Sequence, residues 1–226
     1  MHYSGIFSYL IVAESGALYA WGDGIATDAG EVEDSTLDVP TESLGKGKPV
    51  PSRRPSQPQR RKLGKVKGLE GINICSLACN KGKLYGVENV SGRVYEWDLD
   101  SDREKKDSTS PIIPRLVNRL QSQCISHVSC GSGFAIAISV QGEVFTWGST
   151  AYGCLGLGEA IAANVGYIGT PQMIPALNSR VVVKASCGWA HAMVVLAEGL
   201  VYAWGCNWSG RLGLGSATHT HYNSDN

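Results

Sequence analysis

The residue types in this chain best suited to metal or nucleophilic chemistry are its seven cysteines and five histidines. Cys75, Cys79, Cys124, Cys130, Cys154, Cys187 and Cys206 form no Cys-x-x-Cys pair. The tightest constellation is Cys124-x-x-His127-x-x-Cys130. Structural zinc wants four ligands converging on one point. This motif supplies three candidates along a strand-like segment, with no second cluster, so no metal is expected. His219 and His221 lie in a polar tail, and His191 occupies a place held elsewhere in the chain by Ser8 and Phe134. It therefore has no pattern support as a general base. No Ser-His-Asp order, carboxylate pair or phosphate-cradling loop emerges. Side-chain chemistry alone points to a protein with no catalytic residue and no cofactor.

Binding chemistry is easier to locate. From Gly22 to Glu42 there are seven acidic residues and no basic one, and from Lys46 to Lys67 nine basic residues and no acidic one. Pro49, Pro51, Pro55 and Pro58 fall in the basic half. That composition predicts a disordered charged insertion over residues 23–62. Its Arg53, Arg54, Arg60, Arg61 and Lys62 are candidate contacts for an acidic or chromatin partner, although charge runs of this kind are usually just solvated. Arg53-Arg54-Pro55-Ser56 resembles a basophilic kinase site, which makes Ser56 a candidate phosphorylation position. Phosphate there would put nearly two negative charges among the arginines. Over the whole chain, 20 basic and 20 acidic residues cancel, which removes any global attraction to nucleic acid or membrane.

The elements that position these residues follow from glycine and tryptophan. There are 28 Gly in 226 residues, well above the roughly 7% of ordinary proteins, and six Trp. Four segments align: Gly16-Ala-Leu-Tyr-Ala-Trp21, Gly92-Arg-Val-Tyr-Glu-Trp97, Gly142-Glu-Val-Phe-Thr-Trp147 and Gly199-Leu-Val-Tyr-Ala-Trp204. Small-residue stops at Ser4, Cys130 and Cys187 lie 12 residues before the aligned Gly, and Cys79 lies 13 before it, a one-residue slip. The aligned Gly suits the positive φ of a tight hairpin turn. The aromatics two apart share one strand face. Each unit thus carries an aromatic ridge that stacking on a neighbour would bury. The last two copies continue into Tyr152-Gly-Cys-Leu-Gly-Leu-Gly158 and Ser209-Gly-Arg-Leu-Gly-Leu-Gly215.

These motifs resemble the regulator of chromosome condensation repeats. The match is strong over residues 111–215 and looser over 4–22 and 63–98, which lack the Leu-Gly-x-Gly segment. The resemblance implies an all-β fold: a partial or incomplete β-propeller of about four repeats, near 4–22, 63–98, 111–158 and 171–215. The charged insertion interrupts it, and 216–226 forms a polar tail. Family propellers usually have seven blades, so missing sequence or another chain is expected to close the ring.

For function, the resemblance implies a protein-interaction scaffold first. Guanine-nucleotide exchange on a Ran-like small GTPase is the alternative, though Gly148 to Gly158 runs straight into Leu-Gly-Leu-Gly with no inserted hairpin to act as a wedge. A propeller module of a larger ubiquitin ligase or signalling protein is a further one. Trp189 and Trp208 lie outside the aligned Trp column. They are candidate interface anchors if exposed, and ring-packing residues if buried. No run approaches the ~20 apolar residues of a membrane helix. The odd cysteine count fits a reducing compartment, so the expected location is cytoplasmic or nuclear.

Overall fold

The computed structural model describes residues 9–12, 18–21, 27–28, 64–66, 69, 71–80, 83–98, 114–158 and 165–214. Among them lie four antiparallel sheets and short 3-10 turns, and no α-helix. The first sheet comprises β1 (Tyr9–Val12), β2 (Leu18–Trp21), β3 (Thr27–Asp28) and β4 (Gly64–Val66), in the order β1-β2-β4-β3. The second runs in chain order through β5 (Ile74–Asn80), β6 (Lys83–Glu88), β7 (Val94–Asp98) and β8 (Arg115–Leu116). The third does the same through β9 (Ile125–Gly131), β10 (Phe134–Ser139), β11 (Val144–Ser149) and β12 (Tyr167–Met173). The fourth holds β13 (Val182–Cys187), β14 (His191–Leu196) and β15 (Val201–Gly205). Strand β5 contacts β9, and β9 contacts β13. The sheets therefore follow one another as an open series of propeller-type blades.

Each expected hairpin forms. Tyr9 pairs with Trp21, Leu84 with Trp97, Ala135 with Trp147 and Ala192 with Trp204. Gly142 has φ +85°, and a Cβ there would meet the Val182 nitrogen at 2.8 Å and Val181 Cα at 2.9 Å. Glycine is needed at this turn both for its backbone angle and for the approach of the next blade. The one-residue slip at Cys79 has a local cause. Gly142 donates to the Ser139 carbonyl, three residues back, whereas Gly92 donates to Glu88, four residues back. The second blade simply has a longer turn, and the strands on either side keep their pairing.

The ridge residues are buried as their spacing requires. Trp97, Trp147 and Trp204 are 1%, 2% and 9% exposed. Trp147 packs with Tyr85, Val87 and Val94 of the second blade, and Trp204 with Ile136, Ile138 and Leu155 of the third. Burying large aromatics between sheets supplies most of the favourable free energy of stacking. Side chains also lace the innermost strands. Ser76 Oγ accepts from the Val128 N–H at 3.1 Å and lies 3.4 Å from His127 Nδ1. His127 Nε2 reaches the Ala185 carbonyl at 3.2 Å.

Two pairings stand at the sheet edges. Thr27 and Asp28, inside the expected insertion 23–62, pair with Val66 and Lys65 at the edge of the first blade. Pro171 lies within β12, where the register shifts between Thr146 and Gly148. That is a natural place for a residue without an N–H. Arg53, Arg54, Arg60, Arg61, Lys62 and Ser56, the structural-repeat residue Gly16, and the tail 216–226 lie outside the described residues.

Candidate interaction site

The most distinctive surface is built at the blade end where β9 turns into β10 and β13 into β14, and where β11 leaves toward β12. The segment after β11 forms a 3-10 turn at Ala151–Gly153, and the segment after β15 forms its counterpart at Trp208–Gly210. Tyr152 and Ser209 take the left-handed conformation at equivalent points, φ +58° and +59°. The buried Asn207 side chain accepts from the Leu212 N–H at 3.1 Å and holds the second turn in place. Trp189 sits in the β13–β14 turn, and its carbonyl accepts from the Ser132 N–H of the β9–β10 turn at 2.8 Å.

These turns bring three aromatic rings together. Trp189 and Trp208 are stacked at 6.3 Å between centroids and 25° between planes. Tyr152 meets Trp189 at 5.4 Å and Trp208, edge-on, at 5.2 Å. Trp189 stays 47% exposed and Trp208 40%, so of the two possibilities open in the sequence, exposure is the one realised. Arg211 Nε donates to the Trp208 carbonyl at 2.7 Å. His191 lies over Gly188, where a Cβ would come within 2.0 Å of its ring, just as Phe134 lies over Gly131. Burial and then the Arg211 cation push the His191 pKa below its ordinary value, and its Nδ1 is buried with no hydrogen-bond partner among the described residues.

A cavity of about 120 Å3 opens at the preceding blade junction, lined by Lys83, Tyr85, Cys130, Gly131, Gly133, Phe134 and Tyr167. Its floor is polar as well as aromatic. Trp147 Nε1 donates to the Tyr85 hydroxyl at 3.3 Å, and Lys83 pairs with Glu96 at 3.2 Å. Burial, then the neighbouring Glu96 carboxylate, hold the Tyr85 pKa well above the ordinary tyrosine range.

The Cys124, His127 and Cys130 constellation does not converge. His127 is engaged with Ser76 and Ala185, while Cys130 packs against the core cluster that includes Ala135 and Trp147. Among the described residues no group of three His, Cys, Asp or Glu side chains could hold a metal ion. Burial raises the Cys154 pKa to about 12 and that of Cys187 to about 11, so neither thiol is poised as a nucleophile. Sequence patterning missed Tyr152, because it stands inside a repeat motif. Only its alignment with Ser209 marks it as a variable position. The cavity left no signal at all, since its walls come from three separate segments.

Consecutive antiparallel sheets stacked through aromatic ridges, with variable side chains gathered at one loop end, define a β-propeller-type repeat protein. Family models agree: the Regulator of chromosome condensation (RCC1) repeat matches residues 141–195, and its second model matches 125–154 and 182–211. Residues 125–211 thus carry regulator of chromosome condensation repeats. It is 30% identical over 220 residues to human E3 ubiquitin-protein ligase HERC2, covering 95% of this chain and 4% of that protein. Xenopus laevis serine/threonine-protein kinase Nek9 is 32% identical over 145 residues, 61% of this chain and 15% of that protein. The structure of human WBSCR16 superposes with a TM-score of 0.62 at 21% identity, covering 93% of this chain and 48% of that one. Prp20p of Saccharomyces cerevisiae, solved in work on its binding to Gsp1p and histones, gives 0.56 at 16% identity, with 88% and 41% covered. The chain spans a small fraction of these curated relatives and under half of these solved chains. No helix among the described residues is long and apolar enough to cross a membrane.

Proposed function

We propose that the chain is a protein-interaction module whose contact point is the Tyr152, Trp189 and Trp208 cluster. One observation carries this reading: two stacked tryptophans stand exposed on turns that a rigid sheet framework holds in place. Trp and Tyr dominate interface hot spots because they bury large area with few rotatable bonds. Recognition carried by loops on a rigid scaffold needs no chemistry. Parallel affinity capture tests it, using wild type, a Trp189→Ala/Trp208→Ala double variant, and Val140→Asp at the opposite blade end. The double variant is expected to lose partners that Val140→Asp keeps. An unchanged partner set in the double variant overturns the reading.

The similarity to HERC2 along 95% of the chain favours a second reading, a propeller module within a larger ubiquitin ligase or signalling protein. The basic residues Arg53, Arg54, Arg60, Arg61 and Lys62 are proposed to add an acidic or chromatin partner, with Ser56 as their phosphorylation switch and the cytoplasm or nucleus as the location. Deleting residues 46–67 tests that arm. Exchange on a Ran-like GTPase rests on likeness to Prp20p, and accelerated nucleotide release from a small GTPase is its direct assay.

A further inference from the structure

We infer that the loop end of blades two to four is a two-anchor strip for a peptide in the polyproline II conformation. That peptide carries apolar side chains three residues apart and an acidic residue beside the second. This rests on the interaction reading and adds spacing, conformation and charge to it.

The two anchor points are physically separate and joined by one turn. The cavity at the junction of blades two and three has apolar walls in Phe134 and the half-exposed Tyr167. Its volume of about 120 Å3 suits one aliphatic side chain. The aromatic cluster stands at the junction of blades three and four. Between them runs the Gly131-Ser132-Gly133 turn, which lines the cavity on one side and donates from Ser132 to Trp189 on the other. A ligand crossing that turn meets both.

Geometry selects the ligand conformation. Stacked sheets lie about 10 Å apart, and the proposed anchors sit one such spacing apart. A β-extended peptide presents one face at intervals of about 6.6 or 13 Å, two or four residues at 3.3 Å each. Polyproline II has three residues per turn and a rise of 3.1 Å, so positions i and i+3 share a face about 9.3 Å apart. Exposed aromatic platforms are also the surfaces that such helices dock against.

Electrostatics selects the flank. At this end of blades three and four, the basic side chains among the described residues are His191 and Arg211. Lys83, at the cavity, is already paired with Glu96. A carboxylate following the second anchor would therefore meet the Arg211 guanidinium. The chain's own Pro55-Ser-Gln-Pro58 has the spacing but the wrong charge.

The test uses the full chain and blocked, fluorescein-labelled peptides followed by anisotropy. Leu-Pro-Pro-Leu-Asp-Asp is expected to bind about tenfold tighter than Leu-Pro-Leu-Asp-Asp, which has the wrong spacing, and than Ala-Pro-Pro-Leu-Asp-Asp, which lacks one anchor. It is also expected to outbind Leu-Pro-Pro-Leu-Arg-Arg, and Arg211→Gln is expected to erase that last preference while leaving the spacing preference intact. Tyr167→Ala and Trp208→Ala alter exposed side chains, and each is expected to weaken the best peptide about tenfold. Absence of saturable binding by the spacing-three acidic peptide, or equal binding at both spacings, overturns the inference. If that happens while the Trp189/Trp208 double variant still loses captured partners, the interaction module survives and the two-anchor strip does not.

Discussion

The turns at Ala151–Gly153 and Trp208–Gly210 share a backbone and differ in what they present. Tyr152 and Ser209 have φ +58° and +59°, Gly153 and Gly210 +67° and +68°, Gly156 and Gly213 +66° and +74°. In blade three this backbone is a seat for the next blade. The Trp204 indole lies on Gly156, where a Cβ would be 2.9 Å from its Nε1, and that nitrogen donates to the Cys154 carbonyl at 2.9 Å. In blade four, Gly213 has nothing within 4 Å among the described residues. The Leu-Gly-Leu-Gly sequence is thus explained by stacking, whereas the turn positions Ala151 and Tyr152, and Trp208 and Ser209, stay at least partly exposed. Those are the positions where Tyr152 and Trp208 build the aromatic cluster.

The strongest test of this contrast is Trp204→Ala. It should empty the seat and cost about 3–5 kcal/mol, read as a loss of denaturation midpoint, and a cost under 1 kcal/mol would refute the stacking role. Gly156→Ala should cost distinctly more than Gly213→Ala. Both pay about 1–2 kcal/mol for a left-handed alanine, but only the former collides with an indole. Equal costs would erase the distinction between the two turns. Tyr152→Gly should change stability by less than about 1 kcal/mol, since relief of the left-handed backbone offsets lost ring contact, while partner capture falls.

The smallest effect is a pH dependence at His191. Its folded pKa lies below the ordinary 6.5, so the unfolded chain takes up the proton more readily. That contribution to stability is complete above about pH 7 and is lost as pH falls through 6.5 toward the lowered folded value. His191→Phe, matching Phe134 over Gly131, should flatten this part of a pH–midpoint profile between pH 7 and 5. An unchanged slope would assign it to other groups.

The blades were legible in sequence because the aromatic ridge, the turn glycine and the small-residue stop are each fixed by packing that every copy must satisfy. Gly92 and Gly142 line up despite turns of different length, since the strands around them pair identically. The candidate surface was half legible. Trp189 and Trp208 stood out by leaving the repeat column, but exposure depends on neighbours that sequence spacing does not reveal. Tyr152 was hidden inside a motif, and Tyr167 and Lys83 come together only through blade stacking.

The central claim is that partners bind at the aromatic end. Fluorine NMR of the chain labelled with 5-fluorotryptophan tests it most directly. Six signals are expected, with Trp189 and Trp208 assigned through their Phe variants. On addition of a captured partner, those two signals should shift or broaden while Trp147 and Trp204 hold still. Unmoved Trp189 and Trp208 signals in a saturated complex would contradict the account.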